Sequence, residues 1–140
     1  MATLPEQPVV IESLKLEFVD ASRLTLSGTV ETPTAQGELR RQLAALHTRI
    51  EKARVPAFIV DVRALSFVNS SAIRLFVDWI SKAESTRYKL EFWIDRSVTW
   101  HRLSFSVLKS LAPRWVEVVE RAPSSGTLKA RAKHGISSPR

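Results

Sequence analysis

The sequence predicts an α/β fold: a mixed β-sheet with an N-terminal hairpin and with helices packed mainly on one face. Three observations carry this. Two segments of apolar–polar alternation flank a short turn between Glu12 and Glu31. A continuous apolar run, Ala57-Phe58-Ile59-Val60-Asp61-Val62, stands between two stretches of helical period. The resulting order is ββαβαβαβ, the alternation that joins parallel strands by helical crossovers.

In the hairpin, Leu14, Leu16 and Phe18 alternate with Lys15 and Glu17, and Leu24 and Leu26 with Thr25 and Ser27, around Asp20-Ala21-Ser22-Arg23. Thr32-Pro33-Thr34 starts a helix, with Thr32 or Thr34 as the cap. Leu39, Leu43, Leu46 and Ile50 form its buried face, and Arg40, Arg41, Arg49, Lys52 and Arg54 a solvated basic one. After Pro56, the continuous run predicts a central strand covered on both faces. Asn69-Ser70-Ser71 opens a second helix running to about Ser85. Its core stripe is Ile73, Phe76, Val77 and Ile80, widened by Leu75 and Trp79; Arg74, Asp78 and Lys82 make one outer charged line. Tyr88–Asp95 is a strand with Leu90, Phe92 and Ile94 on one side. On its other side Trp93 is either covered by Val9, Val10 and Ile11 or marks a self-association surface, that of a homodimer. Thr99–Leu111 is a third helix resting on Trp100, Leu103, Val107, Leu108 and Leu111; Pro113 breaks it before a last strand over Trp115–Val119. If successive strands add in one direction, right-handed crossovers put all helices on one side.

These boundaries give an N-terminal extension over 1–11, one domain over 12–121 and a basic disordered tail over 122–140. The chain's 140 residues fit one such domain. The net charge of +7 is uneven: the tail carries four bases and no acid, whereas residues 1–121 hold 17 bases and 14 acids. Phosphate-driven nucleic-acid binding through the tail and the Arg40–Arg54 face is a rival reading, but the body's charge is too small to make direct nucleic-acid binding the expectation. No apolar run approaches the ~18 residues of a membrane span, and Met1–Pro8 lacks signal-peptide character. A cytoplasmic chain is expected.

Catalytic chemistry finds little to work with. The absence of cysteine removes disulfides, thiol catalysis and thiolate-bound zinc. His47, His101 and His134 have no second ligand at metal spacing. The four glycines form no phosphate-cradling loop, and no nucleophile-elbow sequence surrounds Ser70 that would make a triad with His101. The expectation is a protein without enzymatic activity, metal or cofactor.

One stretch is distinctive: Phe58-Ile59-Val60-Asp61-Val62-Arg63-Ala64-Leu65-Ser66-Phe67-Val68-Asn69-Ser70-Ser71-Ala72-Ile73, a buried strand, a loop and two serines at a helix start. It resembles the STAS family of sulfate-transporter and anti-sigma-factor-antagonist domains, whose strand and hydrophobic loop lead to Asp-Ser-x-Gly at a helix start. Leu26-Ser27-Gly28-Thr29-Val30-Glu31 is similar to that family's Gly-x-x-Asp strand end. The resemblance covers roughly residues 12–120 and departs at Asn69, in place of Asp, and at Ala72, in place of Gly.

The resemblance implies a STAS-like mixed sheet and a non-catalytic signalling domain in transcription regulation: an anti-sigma factor antagonist whose partner is an anti-sigma factor of serine-kinase type. It implies phosphorylation at Ser70 and partner binding through Glu31, Asn69 and Ser71; the adjacent line of Arg74, Asp78 and Lys82 either extends that partner surface or is only an i, i+4 charge ladder. The alternative is a STAS scaffold or transporter-associated subunit in which Ser70 is never modified. Chemistry alone leaves two readings of the serines. Asn69, Ser70 or Ser71 is an N-cap worth roughly 1 kcal/mol, or Ser70 carries a phosphate that the helix N-terminus and Arg74 accommodate.

Overall fold

The computed structural model describes residues 7–123. Six strands and three helices follow in the order β1 (Val9–Ile11), β2 (Leu14–Asp20), β3 (Arg23–Val30), α1 (Pro33–Ala53), β4 (Ala57–Val68), α2 (Ser70–Thr86), β5 (Lys89–Asp95), α3 (Thr99–Leu111) and β6 (Val116–Arg121). The strands lie side by side in chain order. The first two pairings are antiparallel and the last three parallel. Steady addition of parallel strands in one direction, with right-handed crossovers, stacks the helices on one face.

The register shows which face that is. The row Phe18–Leu24–Val60–Phe92–Val118 crosses five strands and is apolar throughout. The adjacent row, Glu17–Thr25–Asp61–Trp93–Val119, points to the opposite side. Under the helices, Phe76 of α2, Phe92 of β5 and Phe105 of α3 meet with ring centroids 5.2 to 6.0 Å apart, locking three elements together. Leu39, Leu43, Leu46 and Ile50 of α1 are buried as their spacing requires.

Local chemistry sets the ends. Thr32 caps α1 by accepting from the Ala35 amide, and its hydroxyl donates to Glu12. α1 and α2 end on Arg54 and Arg87 in the left-handed conformation. Gly28 has φ +92°, and a Cβ there would lie 1.7 Å from the Ser13 carbonyl oxygen, so only glycine lets β2 and β3 close.

Four expectations are corrected. Val9–Ile11 is an edge strand paired with β2, not part of an extension. β4 runs unbroken to Val68, with no loop after the apolar run. On α2 the expected Leu75, Phe76, Trp79 and Ile80 are buried together with Ala72 and Ala83, while Ile73 and Val77 pack against the core only half-buried. On α3, Leu103, Val107 and Leu111 point outward; His101, Phe105 and Leu108 face the core. Helical period alone fits either phase there, because α3 carries apolar residues on both sides and its core face includes a histidine. Of the expected tail, only the residues up to Pro123 lie within the described residues.

Candidate functional site

β3 and β4 run parallel and end together, so the start of α1 and the start of α2 share one end of the sheet. Asn69 ties them. Its amide donates to the Val30 carbonyl (3.0 Å) and its side-chain Nδ2 to the Glu31 carbonyl (3.3 Å). Its Oδ1 accepts from the Ala72 amide (2.9 Å), capping α2. An aspartate would make the cap but has no donor for Glu31, which gives the asparagine a physical role. Ala72 is fully buried without positive φ, so a glycine is not needed there.

Ser70 and Ser71 are exposed in the first turn, where backbone amides lack intrahelical acceptors. Glu31 is also exposed and, through Asn69, lies on the same end. Arg74, Asp78 and Lys82 are exposed along α2, but no ion pair closes among them. The alternative of an i, i+4 charge ladder is therefore not formed, and these side chains face solvent. Beside them a groove of about 350 Å³ separates α1 from α2, with Leu43, Ala44, Leu75 and Trp79 as its floor and Arg40, Asp78 and Lys82 on its rim.

Beneath the groove lies a network that spacing does not reveal. The Tyr88 hydroxyl accepts from Trp79 Nε1 (2.8 Å) and shares a hydrogen bond with His47 Nδ1 (2.7 Å), joining α1, α2 and the start of β5. Burial pushes the phenol up to about 12, and burial, opposed by Glu51, holds the His47 imidazole below its ordinary value. His101 is spent on backbone: Nδ1 accepts from the Asp95 amide (3.1 Å), which leaves Nε2–H to donate to the Leu65 carbonyl (2.8 Å). Burial lowers its pKa, against the Leu65 bond and the Asp95 charge. With both nitrogens engaged, His101 is no base for Ser70.

The sheet's other face is covered by side chains rather than helices. Trp93 lies under Arg121 (4.1 Å from guanidinium carbon to ring centre), Arg23 (4.4 Å) and Arg63 (5.4 Å), and donates to Glu91. Asp61 is 2% exposed; Arg63 grips it through Nε (2.9 Å) and Nη2 (2.8 Å), and Arg23 approaches to 3.5 Å. Burial works to raise the Asp61 carboxyl, but the Arg63 hydrogen bonds and both arginine charges outweigh it and hold it below the ordinary value. Val9–Ile11 lies at the far edge of the sheet from β5 and does not cover Trp93; the arginines do.

Among the described residues no group of three His, Asp or Glu side chains is placed to hold a metal, and no helix is long and apolar enough to cross a membrane.

The architecture is the STAS-domain fold, a mixed sheet with three crossover helices and a serine opening the second. Solved structures carry that comparison. The unphosphorylated anti-sigma factor antagonist SpoIIAA is 20% identical, at TM-score 0.52, over 86% of this chain and 96% of its own. The Bacillus cell-fate determinant SpoIIAA in phosphorylated form is 17% identical at TM-score 0.54, over 85% and 98%. SiaC, activator of the diguanylate cyclase SiaD of Pseudomonas aeruginosa, is 15% identical at TM-score 0.61, over 83% and 100%, in its complex with SiaD. No family model and no curated protein matches the chain.

Proposed function

We propose that this protein is a non-catalytic STAS-type regulatory domain, an anti-sigma factor antagonist that docks a protein partner through the start of α2 and is switched by phosphorylation of Ser70. The carrying observation is Ser70 itself: exposed, and held in the first turn of a helix that Asn69 both caps and braces to Glu31. A phosphate there adds about −1.5 to −2 charge and three strong acceptors. First-turn amides, the positive end of the helix dipole and Arg74 one turn on all favour it. A neutral residue at position 69, where the related motif has an acid, spares the phosphate a like charge. The fold therefore tolerates a modification that transforms the surface. Likeness to SpoIIAA, solved both unphosphorylated and phosphorylated, supports the reading.

The docking surface runs from Glu31, Asn69, Ser70 and Ser71 along Arg74, Asp78 and Lys82 to the α1–α2 groove. Its partner is an anti-sigma factor of serine-kinase type, the nucleotide belonging to that partner; the setting is cytoplasmic and neither metal nor nucleic acid takes part. Native protein analysed by intact mass and fragment mapping carries phosphate at Ser70 and not Ser71. Ser70→Asp weakens the co-purifying partner, and Ser70→Ala keeps it. Native protein that never carries phosphate, with equal binding by both variants, favours the permanent scaffold instead.

A further inference from the structure

α3 exposes apolar surface that the fold does not use. Leu103, Val107 and Leu111 are 66%, 60% and 52% exposed. At i, i+4 and i+8 they form one ridge about 12 Å long. Isolated exposed leucines are ordinary, but three large aliphatics on one helix flank are not. On α2, which meets α3 through Phe76 and Phe105, Ile73 and Val77 are half-buried on the flank away from the α1 groove. α2 and α3 are neighbours, since they cross successively from β4 to β5 and from β5 to β6. The two helices thus present an apolar trough.

Charge identifies its occupant. From Arg96 to Trp115 there are four bases and no acid. Lys109 is tied to the Val116 carbonyl, while Arg96, Arg102 and Arg114 are exposed. We propose that this trough docks an acidic amphipathic helix of a partner protein, apolar stripe against Leu103, Val107 and Leu111 and carboxylates toward the arginines. A lipid surface fits less well: Ser106 and Ser110 stand exposed beside the ridge, and a bilayer would press them into its apolar layer. The ridge on α3 lies outside the Ser70 docking surface, whereas Ile73, one turn on from Ser70 along α2, borders both.

The test uses the full chain and a synthetic acidic helix, leucines at helical spacing with glutamates elsewhere. That peptide shifts the amide NMR signals of residues 99–111, Ile73 and Val77. Leu103→Asp and Arg102→Glu, both at exposed positions, each leave the melting temperature in place; the first weakens binding at least tenfold and the second severalfold. A peptide with lysine for glutamate does not bind. No binding, equal binding of the lysine peptide, shifts elsewhere or an unaffected Leu103→Asp variant each overturn the proposal. So do two alternatives: vesicles of phosphatidylglycerol and phosphatidylcholine that retain wild type but not Leu103→Asp, which assign the ridge to lipid, and a wild-type dimer that Leu103→Asp dissociates, which assigns it to a second copy.

Discussion

Replacing Asn69 by alanine removes two side-chain hydrogen bonds at the point where the two helix starts are joined. Loss of the cap to the Ala72 amide, 2.9 Å in the wild type, costs about 1 kcal/mol and at most about 2. The bond to the Glu31 carbonyl is longer, 3.3 Å, and exposed, so it adds about 0.5 kcal/mol. The sum is roughly 1.5–2.5 kcal/mol, a drop in melting temperature of about 5–11 °C for a domain of this size. Asn69→Asp separates the two contributions. It keeps the cap, gains about 0.3–1 kcal/mol from the helix dipole and loses the Glu31 bond, so it stays within about 0.5 kcal/mol of wild type. Urea titrations followed by circular dichroism and tryptophan fluorescence measure both. An alanine variant losing less than about 0.3 kcal/mol, or an aspartate variant as weak as alanine, refutes the geometry assigned to this residue.

The buried carboxylate on the other face makes the next prediction. Arg63→Ala leaves Asp61 only the residue-63 amide and the Arg23 contact at 3.5 Å and costs about 2–4 kcal/mol, whereas Asp61→Leu with Arg63→Met returns to within about 1 kcal/mol of wild type; a double variant as unstable as the single one contradicts the pairing. The histidines set a pH dependence. His101 and His47 have depressed pKa values in the fold, so the unfolded chain takes up protons first as pH falls through the ordinary value of 6.5. Stability is full above that value and declines below it by up to about 1.4 kcal/mol per pH unit for each histidine. Asp61, depressed from 3.8, acts only at lower pH. Chemical denaturation between about pH 7.5 and 5.5 checks the sign; stability that is flat or rises on acidification contradicts the neutral, buried His101.

Much of the sheet was legible because alternation of Leu14, Leu16, Leu24 and Leu26 with polar residues leaves one face to bury. The candidate site was legible at Asn69 and Ser70, where cap chemistry and motif coincide. Its brace was not, because Nδ2 of Asn69 meets a backbone carbonyl 38 residues away. His101 escaped for the same reason: its partners are the Leu65 carbonyl and the Asp95 amide, backbone atoms that no side-chain spacing reports. With a histidine on the core side, the apolar ridge of α3 took its place in the reading and proved to face outward. Asp61 carried a usable signal: a carboxylate inside an apolar strand needs a partner, and Arg63 two residues on shares its face. Arg23 and Arg121 converge on Trp93 only once β3 and β6 are placed.

The switch at Ser70 is tested most directly by protein bearing phosphoserine at that position alone, titrated against the partner that co-purifies with the native chain. The account predicts an unchanged fold, with amide NMR shifts confined to the starts of α1 and α2, and affinity at least tenfold below that of the unmodified protein. Equal affinity for the two forms, or a fold disrupted by the phosphate, contradicts it.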